Sequence, residues 1–286
     1  MKTLYFTIIL LLLHLQNNSS AQIMPGAKQI AISNSSLALS NDVFSHFTNP
    51  AGLAQINWSE IGIYYSPAPF GMTELSNAFA AYLQPTEFGS IAAGFMTYGF
   101  DLYRENNLSI SYSSRFYDRI FLGATLKYHS ISIKNYGNSN SFSLLLGLLY
   151  YISPITRIAF ATDNITRSSY GDYNDQIPTI FSIGVSQDFL ENIIINGSFS
   201  KELRSEYSLH FGIDYLPIQF VSLRFGFSTE PASFSGGVGI NYSKFEFDYA
   251  SFNHQDLGFT HQFSIILHFS EDKPRNKKIK DYLEIK

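Results

Sequence analysis

The sequence predicts an all-β protein: an antiparallel, up-and-down transmembrane β-barrel of about fourteen strands, with a short N-terminal plug or lead-in segment. Three observations predict this fold. Apolar residues alternate with small or polar residues in successive segments of about ten residues. The connections between these segments alternate between tight and longer. After residue 21, no apolar run approaches the ~20 residues that a membrane helix needs, so any crossing of a membrane is by strands.

The first residues predict export of the chain. Met1 and Lys2 supply a positive start, residues 4–13 an apolar run, and residues 19–21 a small-residue cleavage site. This is the pattern of a secretory signal peptide, which we place at residues 1–21. The chain has no Cys, so neither a disulfide nor a lipid-anchored cysteine is available.

Composition agrees with a membrane-embedded chain. Aromatic residues make up 16% and charged residues 15% of the sequence, whereas a soluble domain averages about 25% charged residues. The formal net charge of −4 argues against nucleic acid as a partner.

The predicted barrel covers residues 58–269. In the segment 259–269, Phe263 and Ile265 fall on one face, and Gln262 and Ser264 on the other, because side chains of a strand alternate between its two faces. The predicted strands lie near 58–66, 76–84, 88–99, 105–116, 119–134, 140–152, 156–163, 178–187, 191–202, 205–215, 218–228, 233–242, 244–252 and 259–269.

The connections orient this barrel. Those after even-numbered segments are tight, whereas the longer ones follow odd-numbered segments and include 67–75, 135–139, 164–177 and 253–258. Bacterial outer-membrane barrels have short periplasmic turns and longer outer loops, so both termini are expected in the periplasm. Closure satisfies every backbone amide in hydrocarbon, which an open sheet cannot. A soluble sandwich of strands is the alternative.

Two segments flank the predicted barrel. Residues 22–57 do not alternate, and they predict either a periplasmic lead-in or a plug that fills the wide lumen. Within them, the motif Asn49, Pro50, Ala51, Gly52 is typical of a rigid turn. Residues 270–286 are rich in charge and predict a solvated periplasmic tail with one helical stretch from Lys277 to Ile285.

Ionisable residues on the predicted inward face are the candidates for a polar network in the lumen. Opposite charges confined there pair, and the pairs either fill the lumen or line a path; filling is the favoured interpretation. The residues placed inward by this alternation are Lys127, His129, His210, Asp214, Arg224, Glu246, Asp248 and His268.

Little in the sequence supports chemistry. Ser198 and Lys201 have the spacing of some acyl-transfer enzymes, but residues three apart on a strand point to opposite faces. His261 falls on the apolar face, where an outer-membrane lipase would need it, without an identifiable Ser partner. The His and acidic residues show no metal-ligand spacing. We therefore expect no catalytic residue, no metal and no cofactor.

Three stretches carry a resemblance to a known family. The run LSNDVFSHFTNPAGLA (39–54) resembles the N-terminal signature of FadL-type long-chain fatty acid transporters and of the related PorV/PorQ-like outer-membrane proteins. Residues 110–128 and 223–269 resemble strand–turn–strand units of the PorV-like branch. The resemblance implies a plugged barrel of fourteen strands and, in some members, a side opening in the wall for hydrophobic ligands.

Three functions follow as expectations. The first is passive transport of small hydrophobic molecules by a non-enzymatic barrel embedded in outer-membrane lipid. The second is a PorV-like accessory of a type IX protein secretion system, which binds exported proteins or secretion-system proteins. A weaker alternative is an outer-membrane lipid hydrolase, which needs a Ser–His pair within hydrogen-bond reach on one face.

Overall fold

The computed structural model describes residues 24–171, 175–254, 257–270 and 274–285. The predicted signal peptide, residues 1–21, lies outside this description. Most of the described chain is β-strand, and short helical segments lie at its two ends and after the first strand.

The barrel strands agree closely with the predicted segments. They are β1 (Glu60–Ser66), β2 (Asn77–Thr86), β3 (Gly89–Phe100), β4 (Tyr103–Phe116), β5 (Ile120–Ile133), β6 (Gly137–Ser153), β7 (Thr156–Asp163), β10 (Ile180–Leu190), β11 (Ile193–Glu202), β12 (Tyr207–Ile218), β13 (Val221–Thr229), β14 (Ala232–Tyr242), β15 (Phe245–His254) and β16 (Gly258–His268). Between β7 and β10, a small separate hairpin consists of β8 (Ser169–Tyr170) and β9 (Asp175–Gln176).

The helical segments are short. The α-helices are α1 (Ala27–Ala31), α2 (Ser45–Thr48) and α3 (Arg275–Leu283), and the 3-10 helices are Pro50–Gln55, Pro69–Gly71 and Thr73–Leu75. Among the described residues, no helix is long and apolar enough to cross a membrane.

Pairing of the first strand with the last closes the sheet. Each barrel strand is antiparallel to its neighbours in chain order, and β1 pairs with β16 in a register that sets Ile63 opposite Ile265. The sheet therefore has no edge strand. The prediction of a closed antiparallel barrel of fourteen strands is confirmed.

The two faces of the wall differ as the alternation predicts. Large apolar side chains stand outward around the barrel, for example Ile183, Phe225 and Phe263, which are 55%, 62% and 48% exposed. Their inward neighbours are small or polar, and many are buried, such as Ser186 and Ser264. An apolar band of this extent is stable in hydrocarbon rather than in water, so the barrel spans a membrane.

The two ends of the barrel differ less than the sequence suggests. At one end, called here the short-turn end, tight turns connect the strands. At the other end, 67–76 and 164–179 are the long connections. The predicted loop 135–139 is wrong in length: β6 already begins at Gly137, because Asn135 and Gly137 adopt positive φ angles of 69° and 106° and close the β5–β6 hairpin tightly. Within the predicted loop 253–258, β15 extends to His254 and β16 begins at Gly258, and residues 255 and 256 lie outside the described part of the chain.

We expect a charge on the outward face to impair folding where the same charge on the inward face does not. Ile183→Lys places an ammonium in hydrocarbon, at a cost of about 2–4 kcal/mol near the bilayer midplane. The adjacent Ser182→Lys is the matched control, because Ser182 lines a cleft in the lumen. The measurement is the fraction folded into lipid vesicles, read from heat-modifiable gel mobility. Equal folding of the two variants would contradict the assignment of faces.

Candidate functional site

The candidate site is the lumen of the barrel, which residues 24–57 fill. Almost every residue of this N-terminal plug is buried, and its first described residue, Met24, lines a luminal cleft. Helix α1 packs against β14 and β15, and the 3-10 helix Pro50–Gln55 packs against β4, β5 and β6. The mature N-terminus, which the sequence places at residue 22, lies outside the described residues, so its periplasmic location stays a prediction.

Glycines on the inward face let the plug approach the wall. A Cβ added at Gly123 would lie 2.5 Å from the backbone nitrogen of Ala51, and one at Gly212 would lie 2.5 Å from the Ile32 Cβ. Glycine within a strand often marks such an approach of another backbone. Glycines at inward-facing positions can be seen in the sequence. The alternation of apolar residues alone does not show that a plug contacts the wall at these positions. The inward glycines whose added Cβ would collide with or press on the plug are Gly62, Gly94, Gly123, Gly147, Gly184, Gly212, Gly226 and Gly237.

The motif Asn49, Pro50, Ala51, Gly52 lies at one such contact. The Asn49 side chain donates to the carbonyl of Leu37 at 3.0 Å and accepts from the Ala51 nitrogen at 3.3 Å. Pro50 begins the 3-10 helix, where its missing N–H costs nothing. An added Cβ at Gly52 would strike the carbonyl oxygen of Ser40. The motif thus fixes the fold of the plug.

A cluster of charges at the short-turn end joins the plug, the wall and α3. We call Lys28, Asp42, Glu60, Glu246 and Arg275 the basal cluster. Lys28 pairs with Asp42 at 3.3 Å, and Glu60 accepts from the Val43 nitrogen at 2.9 Å. Arg275 donates to Glu246 at 2.7 Å and also pairs with Glu60.

Arg275 is the central cation of the basal cluster. Its guanidinium also donates to the Asn41 carbonyl oxygen at 2.9 Å. Burial alone would lower the pKa of Arg275, but the carboxylates of Glu246 and Glu60 raise it above the ordinary value, so the side chain stays charged. Two strands and the plug are therefore held by one residue that follows the barrel in sequence.

The remaining predicted luminal residues do not form one network. Arg224 lies between Asp214, at 3.2 Å, and Asp248. Lys127 pairs instead with Asp163 at 2.6 Å. The predicted set of Lys127, His210, Asp214, Arg224, Glu246 and Asp248 is thus divided among separate partners, because β5 lies across the barrel from β12, β13 and β15.

Each of the three predicted histidines lies near a polar group on the inward side of the barrel, and His210 contacts the plug directly. His129 Nε2 lies 2.7 Å from the Ser143 hydroxyl. His210 Nδ1 lies 2.9 Å from the Ser33 carbonyl oxygen, and its Nε2 lies 3.0 Å from the Ser200 hydroxyl. His268 Nε2 lies 3.9 Å from the Glu246 carboxylate. All three therefore help to fill the lumen around the plug.

A histidine of the plug itself is absent from the predicted set. His46 lies between the hydroxyls of Ser109 and Ser111, at 2.6 Å from each. Burial, and secondly the charge of Lys127, lower the pKa of His46 to about 3. The imidazole is therefore neutral at physiological pH and anchors α2 to β4.

The expectation of a solvated C-terminal tail is wrong for α3. Ile279 and Leu283 are four residues apart on one helix face and are buried. The Leu283 carbonyl accepts from Arg115 at 2.7 Å, and Lys280 pairs with Asp188 at 2.7 Å. The charge-rich segment therefore contains an amphipathic helix, and this helix closes the short-turn end of the lumen.

An open space remains between the plug and β6, β7, β10, β11 and β12. This luminal cleft has a volume of about 50 Å³, which is smaller than the ~150 Å³ cavity known to hold a benzene molecule. Its polar lining includes Asp163, Ser200 and His210. Its apolar lining consists of Met24, Leu37, Phe47, Leu145, Ala161 and Ile180. The cleft is therefore an apolar-walled space that the plug keeps nearly full.

The contacts of His210 and His261 bear on whether the protein could be a lipid hydrolase. The Ser200–His210 pair has the separation of a nucleophile and its base, but it faces the lumen and is tied to the plug. On the lipid face, His261 has the hydroxyl of Tyr249 as its partner at 2.7 Å, not a serine. Within the described part of the chain, no group of three acidic, Cys or His residues could hold a metal ion.

Comparison with known proteins identifies the fold. No family model matches the sequence, and no curated protein matches it. The structure is similar to the CymD monoaromatic hydrocarbon channel, with a TM-score of 0.67 and 13% identity over 88% of this chain and 100% of that one. The Pseudomonas putida toluene transporter TodX gives 0.61 and 12% over 85% and 96%. A Pseudomonas aeruginosa FadL homologue gives 0.59 and 11% over 86% and 97%.

These similarities establish a class by fold. The chain is a plugged fourteen-strand β-barrel with the architecture of FadL-type and TodX-type channels. The FadL-type resemblance in the sequence is therefore confirmed at the level of the fold. Assignment to the PorV-like branch stays a prediction.

We expect Arg275→Ala to release α3 and loosen the plug. The change leaves the buried carboxylates of Glu60 and Glu246 without their guanidinium partner, at a cost of about 3–5 kcal/mol. The measurement is the rate at which an added protease removes α3 and then cuts residues 24–57 in folded protein. Lys277→Ala, an exposed change on the same helix, is the control. Identical cleavage rates in Arg275→Ala and wild type would show that the basal cluster does not hold these segments.

Proposed function

We propose that the protein is a bacterial outer-membrane channel for the passive passage of small hydrophobic molecules. The observation that carries this proposal is a barrel with an apolar outer band whose lumen holds a plug beside an apolar-walled cleft. Two of the similar structures are a monoaromatic hydrocarbon channel and a toluene transporter. Monoaromatic hydrocarbons are compact and uncharged, so they suit a narrow cleft walled by Leu37, Phe47, Leu145 and Ile180.

In this mechanism, the plug moves to let the molecule through. The cleft is too small for a benzene ring as it stands, so Met24 and Phe47 must shift to admit one. Further passage requires separation of the plug from α3, which together close the short-turn end. Some plug residues contact a wall glycine through apolar atoms, as Val43 does at Gly62. Separation at these contacts breaks no buried hydrogen bond. Polar contacts such as that of Ser33 with Ser235 must break.

Orientation follows from the loops. We infer that the short-turn end, with α3, faces the periplasm and that the loops 67–76 and 164–179 lie outside, as in bacterial outer-membrane barrels. The outward apolar band then contacts outer-membrane lipid.

A second candidate is the PorV-like accessory of a protein secretion system. The closed lumen favours it, because plug, basal cluster and α3 leave only a small cleft in the described residues. A barrel that does not conduct can still serve as a membrane anchor for partners. The Ser200–His210 pair gives the lipid hydrolase less support, because lipid lies on the opposite face of β11 and β12.

We expect a disulfide between plug and wall to stop passage. The Ser33 and Ser235 hydroxyls lie 2.7 Å apart, and the chain has no other cysteine to compete with a Ser33→Cys/Ser235→Cys pair. Uptake of radiolabelled toluene is measured in cells that lack their own channels for it. Oxidised protein should give the uptake of cells without the protein, and reduction should restore it.

A disulfide within the wall is the matched control. Ser228 and Ser233 have hydroxyls 2.8 Å apart on β13 and β14, so the pair Ser228→Cys/Ser233→Cys adds the same bond without joining the plug. Its uptake should not change on oxidation. Equal toluene uptake by the oxidised and the reduced Ser33→Cys/Ser235→Cys protein would rule out a moving plug. Absence of toluene uptake by the wild-type protein would rule out the proposed channel function.

We expect no stoichiometric protein partner if the protein is a channel. The measurement is mass spectrometry of proteins and lipids that co-purify with the tagged chain from native outer membranes in mild detergent. A hydrophobic small molecule alone agrees with transport. Exported proteins or secretion components in equal amounts would transfer the assignment to the accessory role.

A further inference from the structure

A cluster of aromatic and acidic side chains lies at the end of the lumen opposite the short-turn end, on the inward face of β3 and β4. It consists of Tyr98, Tyr103, Glu105 and Tyr170, and we call it the mouth cluster. Tyr98 is directly opposite Glu105 in the β3–β4 register, and the Tyr103 hydroxyl donates to the Glu105 carboxylate. The Tyr98 and Tyr103 rings meet edge to face, with centres 6.4 Å apart. All four side chains are partly exposed, so a solute in the mouth of the barrel reaches them.

Tyr170 reaches the cluster from the long connection after β7. Its ring lies edge to face with that of His129 on β5, with centres 6.1 Å apart. Burial, and secondly the charge of Glu105, raise the pKa of Tyr170 above its ordinary value, so the phenol stays neutral. The start of the connection is held by the side chain of Asn164, which donates to the Ile177 carbonyl at 2.8 Å. Neutral aromatic rings therefore lie near Glu105 on both the wall and the connection.

Glu105 carries a charge that no cation in the described part of the chain neutralises. Its neighbour Arg104 falls on the outward face of β4 and pairs with Asp101 at 3.9 Å. Lys127 on β5 pairs with Asp163 at 2.6 Å. A partly buried carboxylate beside aromatic rings attracts a cation from solution, because both its charge and the electron-rich ring faces favour one.

An unpartnered acceptor lies next to Glu105 on the same strand. Asn107 is two residues further along the inward face of β4, and its Oδ1 atom is buried without a hydrogen-bond partner. Buried polar groups are normally paired. Residues two apart on a strand are separated by ~7 Å, so one donor between the two side chains can reach both acceptors. The matching ligand therefore donates hydrogen bonds as well as carrying a positive charge.

We propose that the mouth cluster binds the primary ammonium group of a small organic amine. The ammonium donates to the Glu105 carboxylate and to the Asn107 Oδ1 atom, and the apolar body of the amine packs against the rings of Tyr98 and Tyr170. A primary ammonium has three N–H donors for these acceptors, whereas a quaternary ammonium has none. The inference concerns equilibrium binding at the mouth and does not depend on passage through the lumen.

The test is isothermal titration calorimetry of the full-length protein in non-ionic detergent with 2-phenylethylammonium at neutral pH. We expect saturable binding by the wild type. Glu105→Gln keeps the shape of the side chain and removes its charge, so it should weaken binding roughly tenfold, the effect of losing one charge-assisted contact. Tyr170→Leu removes one ring and should weaken binding roughly threefold. Asp101→Asn removes an exposed carboxylate at the same end of the barrel and should leave binding unchanged.

Three further ligands separate the parts of the proposal. Phenylacetate has the same ring with the opposite charge, ethylbenzene has the ring without charge, and the N,N,N-trimethyl derivative of the amine has the charge without N–H donors. All three should bind more weakly than the primary amine. Folding of each variant is checked by heat-modifiable gel mobility, and Tyr170→Leu tests the cluster without changing a barrel strand.

Four results would each overturn the proposal. They are a wild type without saturable binding, equal affinity in wild type and in the folded Glu105→Gln and Tyr170→Leu variants, loss of affinity in Asp101→Asn as large as in Glu105→Gln, and binding of any of the three comparison ligands as tight as that of the primary amine.

Discussion

Satisfaction of every backbone amide within hydrocarbon is the constraint on which the rest of this structure depends. The strands must form a closed ladder, and the pairing of β1 with β16 provides the closure. Fourteen strands enclose a lumen too wide for wall side chains alone to fill. The plug, the inward glycines and α3 are all responses to that space, because each removes volume from the lumen without exposing backbone to lipid.

The plug is held by two kinds of contact with different properties. Along the wall, inward glycines admit backbone to within van der Waals distance, so the fit depends on shape and has little polar cost. At the short-turn end, Glu60 and Glu246 are buried carboxylates that need a cation, and Arg275 supplies it. Such an arrangement is strong only while complete, because removal of one partner leaves buried charge uncompensated. Shape complementarity with the wall positions the plug, and the ion pairs of the basal cluster hold it there.

Most of the barrel could be predicted from the sequence, whereas most of the site could not. Strands are encoded locally: the alternation around Phe263 and Ser264 needs only a period of two, and each predicted strand is present in the barrel. Charge partners are not encoded locally. Lys127 and Arg224 share inward parity, yet their partners Asp163 and Asp214 follow from register and depth. The charge run around Arg275 predicts a solvated tail because its carboxylate partners lie on strands, where the local charge pattern does not show them. Glu246 is 29 positions away and Glu60 is 215 positions away, and closure of the barrel brings Glu60 to α3.

The ion pair of Arg275 with Glu60 also imposes an order of events during biogenesis. The two residues are separated by 215 positions, and Glu60 lies on the first strand while Arg275 follows the last one. The pair can form only after the whole barrel has been threaded into the membrane and its seam has closed. A chain that stops short of its final segment retains an unlocked plug. Closure of the barrel seam and locking of the plug are thus coupled in this chain.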